Sequence, residues 1–280
     1  MGIVPLFTTA CTWFFTGCGS LPEPPERAQA LAVYFVDVGQ GDAVLLRLPG
    51  GKHILYDLGN RDGALADALA AFGVDSLEAV LISHMDLDHF GAHAAVRGIS
   101  VNRWYLPQTP VPDSAWQNLR DLLDASGAEQ ETLFAGDTLL WPGGVEAEVL
   151  WPPSGSDAAD NECSLVLRIS HAGRRLLLTG DIEGAAEADL LHTGRSLSAD
   201  LLKVSHHGSR TSTSLPLLAA VSPRYAVISC DSSVYGHPHR ETMAGLQRFV
   251  EPGRVLRTDV EGTIGFELGE GGITRLKIEK

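Results

Sequence analysis

The segment LISHMDLDHFGAH, residues 81–93, places three histidines and two aspartates within ten residues directly after a short apolar run. Aspartate is depleted in strands, and both residue types are costly to bury without a partner. His84, Asp86, Asp88 and His89 follow the order H-x-D-x-D-H. A tight loop can turn alternate side chains to one side, and imidazole nitrogens and carboxylate oxygens suit a divalent metal. The segment therefore predicts a metal site at the end of a buried strand.

Polar residues also follow three other apolar runs. Asp57 follows HILY, Asp181 follows RLLLTG, and His206 and His207 follow DLLKVS. Each lies just past the C-terminal end of a predicted strand, so we expect these side chains to converge on one rim. Two divalent ions ~3.5–4 Å apart are a common arrangement for displacement at a phosphoester. The loop at 84–89 has enough ligands to supply both ions.

Turn signals divide the chain into short strands and helices. Strands are predicted at residues 31–38, 43–48, 52–59, 78–83, 137–141, 145–151, 163–170, 174–180, 199–205, 224–230, 263–268 and 273–278. Helices are predicted at residues 61–74, 89–98, 112–127, 181–192, 214–221 and 239–250. Both halves begin with strands and then alternate strands with helices. This order predicts an α/β (α+β) fold, with two mixed sheets packed face to face and helices outside.

Composition restricts the classes of function. The chain has 280 residues, 44% of them hydrophobic, and a formal net charge of −14. That charge argues against a broad cationic surface that grips nucleic acid, so metal ions must supply much of the positive charge at any phosphate. The four cysteines show no short spacing of the kind found in structural zinc sites, and we expect no dependence on disulfides.

Residues 1–30 are set apart from a domain at 31–280. MGIVPLFTTACTWFFTGCGS has a short apolar stretch and precedes a Pro/Glu-rich linker. It resembles a bacterial lipoprotein signal, in which Cys18 would be lipidated and would tether the protein to a membrane. However, its start lacks Lys and Arg, and Phe15 stands where Leu is more usual. Two interpretations therefore stay open: an exported lipoprotein, or a cytoplasmic protein with an N-terminal extension and a spare cysteine.

Several blocks resemble one known family. SHMDLDH, LLTGD, KVSHHGS and DVGQGDAVLLRLPGGKHILYDLG are similar to the metallo-β-lactamase superfamily, and more narrowly to the hydrolase domain of the ComEC family of competence DNA-uptake proteins. NECSLVLRI, SPRYAVIS, YGHPH and TDVEGTI are similar to later blocks of that domain, so the resemblance covers residues 31–280. It implies an αββα sandwich with a dinuclear metal site along one edge. The channel segments of that family are absent from the sequence, so we expect hydrolysis and not DNA transport.

The resemblance also assigns roles to residues. The implied metal ligands are His84, Asp86, Asp88, His89, Asp181 and His207. His84 and Asp86 would hold one ion, Asp88 and His89 the other, with Asp181 bridging and His207 completing the second site. His206 would contact a phosphate oxygen, and we place it with Asp88 and His237 in the catalytic group. Asp57 would brace the ligand loop, because ligating imidazoles need their second nitrogen held.

Two departures from the superfamily pattern leave the metal open. Asp86 stands where the superfamily usually has histidine, and DNECS stands where another histidine usually precedes the bridging aspartate. Asn161 of that block is a candidate weak ligand or water-holder. Oxygen donors in place of imidazoles shift the preference from zinc toward manganese. We therefore expect two divalent ions, either Mn or Zn.

Loops beside the predicted metals offer further candidates. His237 or His239 in YGHPHR would protonate a leaving oxygen or bind phosphate; His237 is the preferred candidate, because His239 is explained as the start of the following helix. Ser209, Arg210 and Ser212 in GSRTSTS would cradle a phosphate, or simply cap the following helix. The GQGD segment would either point Asp37, Gln40 and Asp42 at the site or form only a hairpin turn.

The leading functional hypothesis is a dinuclear metal-dependent phosphodiesterase or nuclease, with single-stranded DNA or another nucleic-acid strand as its substrate. One alternative keeps the site but takes a small or cell-surface phosphodiester, such as a phosphocholine or nucleotide group. The other is a metal-binding module without turnover. No protein partner is predicted.

Overall fold

Short apolar runs separated by turns form the strands of the computed structural model, which describes residues 29–60, 63–108, 114–156 and 160–278. Its strands, in chain order, are β1 Leu31–Phe35, β2 Val44–Arg47, β3 His53–Tyr56, β4 Ser76–Leu77, β5 Ala79–Leu81, β6 Ser100–Val101, β7 Arg103–Tyr105, β8 Glu129–Glu131, β9 Thr138–Trp141, β10 Val145–Trp151, β11 Val166–His171, β12 Arg174–Leu178, β13 Leu201–Lys203, β14 Tyr225–Ile228, β15 Val255–Arg257, β16 Ile264–Gly269 and β17 Gly272–Leu276. Cys18 and the predicted signal segment lie outside the described residues.

The helices follow the strands in the second part of each half. In chain order they are α1 Ala64–Ala71, α2 Leu87–Phe90, α3 Ser114–Ser126, α4 Gly184–His192, α5 Leu215–Val221, α6 Arg240–Phe249 and α7 Thr258–Glu261. Short 3₁₀ turns cover His93–Val96, Asp160–Cys163 and Ser205–Gly208. No helix within the described ranges combines the length and apolarity that crossing a bilayer requires.

Two large sheets contain almost all the strands, and both sheets are mixed. The first has the order β17-β16-β1-β2-β3-β5-β7-β8, with its last four strands parallel and the remaining pairs antiparallel. The second has the order β15-β14-β13-β12-β11-β10-β9, with β12 to β15 parallel and the rest antiparallel. Strands β4 and β6 form a separate small pair. Each large sheet therefore has a parallel half, whose strand ends can meet at one rim.

Three apolar cores hold these elements in four layers. The central core lies between the sheets and combines residues of both, among them Phe35, Tyr56 and Phe266. A second core joins the outer face of the first sheet to α1 and α3 around Trp104. A third joins the second sheet to α4, α5 and α6 around Leu202. This arrangement confirms the predicted αββα sandwich.

The helix predicted at residues 89–98 is wrong as a single element. The chain instead forms α2 and then a separate 3₁₀ turn at His93–Val96. The Ala92 N–H donates to the carbonyl of Gly59, 3.2 Å away, and so leaves the helical pattern. Because of this break, the loop at 84–89 stays hydrogen-bonded through Ala92 to the segment that follows β3.

The turn between β1 and β2 packs directly on that ligand loop. Gly41 has φ +127°, and a Cβ built on it would lie 2.2 Å from the carbonyl oxygen of Asp88. The next residue, Asp42, donates its N–H to the same carbonyl at 3.1 Å. Only glycine permits this approach, so the GQGD segment is more than a hairpin turn.

We expect Gly41→Ala to lower the free energy of unfolding by about 1–3 kcal/mol more than Gly50→Ala, because it overpacks the contact with Asp88. Gly50 is the matched control, since its φ is also positive, +88°, but its Cβ would meet nothing within 4 Å. Urea denaturation of both variants measures the difference. Equal losses in the two variants would contradict the close packing at Gly41.

Candidate metal centre

The predicted ligands lie at the C-terminal ends of parallel strands from both sheets. Asp57 follows β3 and the loop at 84–89 follows β5 in the first sheet, while Asp181 follows β12 and His207 follows β13 in the second. Their side chains meet across the gap between the sheets. The rim predicted from the sequence is therefore present in the structure.

His89, His207, Asp88 and Asp181 form the centre of this cluster. The Nε2 atoms of His89 and His207 lie 3.2 and 3.1 Å from Oδ2 of Asp181. Asp88 reaches the same two imidazoles, with Oδ2 3.2 Å from His207 Nε2 and Oδ1 4.0 Å from His89 Nε2. His89, His207 and Asp181 are almost completely buried. One carboxylate oxygen thus faces two buried imidazole nitrogens.

His84 and Asp86 occupy the neighbouring position. His84 is fully buried, its ring centroid is 4.1 Å from that of His89, and it groups with His89 and Asp181 as a possible ligand set. Oδ2 of Asp86 lies 3.6 Å from His84 Nε2, while half of the Asp86 side chain is exposed. Asp86 therefore sits at the open edge of the cluster.

Asp57 braces the ligand loop from beneath. Its carboxylate accepts hydrogen bonds from the backbone N–H and the hydroxyl of Ser83, both at 2.7 Å, and lies 2.8 Å from Nδ1 of His89. With Nδ1–H directed at this carboxylate, His89 presents Nε2 to the centre. This is the contact that a ligating imidazole requires on its outer nitrogen.

A buried lysine connects the centre to the other sheet. Lys203 on β13 is fully buried, and its ammonium donates to the Gly180 carbonyl at 2.9 Å and to Oδ1 of Asp181 at 3.2 Å. It also pairs with Asp42, which is fully buried in the β1–β2 connection. Gln40 of that connection donates its side-chain N–H to Oδ2 of Asp88 at 3.3 Å. The GQGD segment therefore contributes to the centre through two side chains.

A second layer of polar residues borders the open side. His206 Nδ1 lies 2.7 Å from Oε1 of Glu183, which also accepts a hydrogen bond from the Thr211 hydroxyl at 2.6 Å. The ring of His237 lies 5.7 Å from that of His206 and 6.4 Å from that of His207. His206 and His237 are thus brought next to the predicted ligands.

The remaining candidates occupy the loops around this border. Ser209 and Ser212 are buried, and the Ser212 hydroxyl donates to the carbonyl of Ser205 at 2.8 Å, while Arg210 is exposed. His239 Nδ1 accepts the backbone N–H of Arg210 at 3.1 Å. Asn161 has a buried Oδ1 without a hydrogen-bond partner among the described residues, and its role as a weak ligand or water-holder stays a prediction.

The donor set fits divalent cations. The buried Nε2 atoms of His84, His89 and His207 face carboxylate oxygens at 3.6, 3.2 and 3.1 Å without the geometry of a hydrogen bond. Five carboxylates face one buried ammonium, so neutral imidazoles would leave four net negative charges; the carboxylates are Asp42, Asp57, Asp86, Asp88 and Asp181. Three of these carboxylates, Asp42, Asp57 and Asp181, are fully or almost fully buried, and this negative charge is unfavourable without compensating cations.

The negative charge also controls the protonation of the imidazoles. Burial opposes a charged His207, but the Asp181 and Asp42 carboxylates outweigh it and raise its pKa to about 10. Burial is likewise outweighed at His89, where Asp181 and Asp57 raise the pKa well above its usual value. His237 differs, because burial and the neighbouring histidines lower its pKa to about 4.

Sequence reasoning gave no role to Lys203 or Glu183 and left Asp42 open. From the sequence alone, a buried lysine in an apolar strand cannot be distinguished from an exposed one. Glu183 is typical of a residue at the start of a helix, here α4. Asp42 had a weak signal, since the GQGD segment lies in a block that resembles the family.

We expect Lys203→Met to reduce the free energy of unfolding of the metal-free protein by about 3–5 kcal/mol, because it leaves Asp42 buried without its cation. Adding Asp42→Asn should recover much of the loss, since the unpaired charge is then removed. Lys52→Met is the control: Lys52 is half exposed beside Glu78, and its loss should cost less than about 1 kcal/mol. Chemical denaturation checks all three, and a double variant no more stable than Lys203→Met would contradict the pairing.

Metal binding at pH 7 should release protons. The raised pKa values of His89 and His207 mean that both imidazoles carry a proton in the metal-free protein, and a metal ion must displace it. Affinity should therefore rise with pH. Titration calorimetry with Mn²⁺ in two buffers of different ionisation enthalpy measures the release, and identical heats in both buffers would exclude it.

Comparison with known proteins agrees with this geometry. The sequence profile of the metallo-beta-lactamase superfamily matches residues 36–232. Competence protein ComA of Neisseria gonorrhoeae is 36% identical over 264 residues, which cover 91% of this chain and 35% of that protein. ComE operon protein 3 of Bacillus subtilis (strain 168) is 31% identical over 255 residues, covering 84% and 32%. The chain thus spans about a third of the length of these curated relatives.

Solved structures resemble the chain in fold. The metallo-beta-lactamase fold protein YhfI from Bacillus subtilis aligns with a TM-score of 0.56 and 14% identity, covering 85% of this chain and 100% of that chain. The low identity limits this likeness to the fold. With the profile matching most of the domain, the chain belongs to the metallo-beta-lactamase superfamily.

Proposed function

We propose that the protein is a metal-dependent phosphodiesterase that cleaves a nucleic-acid strand with two divalent ions, Mn or Zn. The observation that carries this proposal is the convergence of three buried imidazoles on the Asp88 and Asp181 carboxylates. Imidazole nitrogens and carboxylate oxygens together are the donor set that borderline divalent ions take. The charge of two divalent ions would also match the four net negative charges of the centre.

The side chains divide between the two ions as the sequence suggests. His84 and Asp86 would hold one ion at the open edge, and Asp88, His89 and His207 would hold the other. Asp181 would serve both, because it belongs to a possible ligand set with His84 and to another with His207. Half of the Asp86 side chain is exposed, which is consistent with weaker binding of the ion that His84 and Asp86 would hold.

When bound, two such ions polarise the phosphoryl group and lower the pKa of water. The protein's own residues position the substrate beside them. Glu183 holds the His206 ring at Nδ1, and the opposite nitrogen, Nε2, can donate to a phosphate oxygen when both ring nitrogens carry protons. Arg210, which is exposed on the adjoining loop, can approach the same phosphate. His237 is uncharged near neutral pH and can accept or relay a proton through its ring nitrogens.

Support for a nucleic-acid strand comes from the relatives named for competence and from the resemblance to the competence DNA-uptake family. A specific observation favours a second candidate, hydrolysis of a small or cell-surface phosphodiester. The net charge of −14 disfavours long polyanions, and a phosphocholine or nucleotide group would not be repelled to the same extent.

The full-length protein, loaded separately with Mn²⁺ and Zn²⁺, should cleave end-labelled single-stranded DNA as well as a chromogenic phosphodiester. Asp181→Ala should lower both activities by about 100-fold or more, since even outer-shell losses at metal sites cost 10–100-fold. Asp189→Ala, an exposed aspartate on α4, is the matched control and should retain activity.

The outcomes separate the candidates. Cleavage of the chromogenic diester without cleavage of DNA would favour the small-substrate alternative. Absence of both activities in a protein that binds metal would contradict hydrolysis altogether and would favour the metal-binding module.

A further inference from the structure

Three exposed apolar side chains stand on segments of the metal centre. Seven large apolar side chains are exposed among the described residues, and three of them belong to the loop at 84–89 or to the loop that carries His237. These are Leu87, Val234 and Tyr235. Leu87 lies between two proposed ligands, and Tyr235 is 66% exposed two residues before His237. Exposed apolar groups that cluster beside a site indicate a ligand with an apolar surface.

Tyr235 is the outermost of three neighbouring rings, which begin at the proposed metal ligand His207 and continue through His237. Its ring centroid lies 6.0 Å from that of His237, whose centroid lies 6.4 Å from that of His207. The tyrosine ring is therefore at most about 12 Å from the His207 ring. A base attached to a phosphate held at the centre would reach this ring.

Hydrogen bonds fix the loop that presents the tyrosine. The Asp231 carboxylate accepts the N–H and the hydroxyl of Ser233 at 2.8 and 2.6 Å, and the Asp231 carbonyl accepts the N–H of Val234 at 3.2 Å. Gln40, which also contacts Asp88, accepts the Asp231 N–H at 3.4 Å. The ring thus stands on a turn connected to the ligand loop.

The same border is poor in cations that a phosphate chain could use. Lys203 is fully buried and occupied by Asp42 and Asp181, and Arg257 is paired with Asp259 at 2.6 Å. The exposed cations of the adjoining segments are Arg210 and Arg240. Binding of a strand to this acidic protein therefore needs a source other than phosphate neutralisation.

We propose that Tyr235 stacks on an unpaired base beside the phosphodiester held at the metal centre, with Val234 as its apolar flank. This inference rests on the proposed nuclease function. Stacking on an aromatic ring is tolerant of sequence and needs no cation on the protein. The bases of a duplex already stack on one another, so the preferred substrate is single-stranded.

The test compares two fluorescent strands of equal length, one normal and one with abasic sites, which retain every phosphate. Binding of the full-length protein is followed by anisotropy with Ca²⁺. Tyr235→Ala should lower the preference for the base-bearing strand by about 5-fold to 100-fold, the range for loss of one stacked base. Tyr235→Phe should retain the preference, because it keeps the ring.

Leu140→Ala is the matched control. Leu140 is 79% exposed on edge strand β9, and its loss should leave the preference unchanged. An unchanged preference in Tyr235→Ala would overturn the inference, as would an unmodified protein that binds both strands equally or neither. Because binding is read without turnover, failure of the nuclease activity remains a separate result.

Discussion

The buried ammonium of Lys203 is the interaction on which the rest of the centre depends. An unpaired charge at this depth would cost several kcal/mol, so two carboxylates are drawn to it, one from each sheet. Asp42 comes from the β1–β2 connection, and Asp181 follows β12. The pairing ties the sheets together at the rim and occupies Oδ1 of Asp181. Only Oδ2 is then left to face His89 and His207.

One lysine cannot balance the charge of five carboxylates. The remaining negative charge determines which ligands can bind at the centre. The same negative charge that attracts divalent cations repels the phosphates of a polyanion, and the net charge of −14 adds to this repulsion. A phosphate is then tolerated chiefly where the ions compensate it. If a nucleic-acid strand is the substrate, as proposed, its contact with the protein would be confined to the scissile phosphate and to the bases. An acidic protein can in that way have relatives named for competence.

The sequence predicted the sandwich and the rim, because apolar runs followed by ligand-type residues are a local pattern. It missed strand β8, Glu129–Glu131, since three exposed polar residues have low strand propensity. That strand is stabilised across the sheet by Arg103 of β7, which pairs with both of its glutamates. The roles of Lys203 and Glu183 were also missed. Like the pairing of β8 with Arg103, each role depends on a partner distant in sequence, which no local pattern can reveal.

Backbone conformation at the centre shows what the ligands require. Asp57, His206 and His207 have left-handed φ values of 58°, 46° and 52°, which cost a non-glycine residue about 1–2 kcal/mol each, although Asp and His tolerate them better than most. Each side chain is fixed: Asp57 by three hydrogen bonds, His206 by Glu183 at 2.7 Å and His207 by the Ser229 carbonyl at 2.8 Å. The turn at 206–207 sends one imidazole to the rim and the next to the centre. Glycine would relieve the strain there but remove the imidazoles, so stability and the proposed contacts with metal and phosphate make opposite demands on His206 and His207.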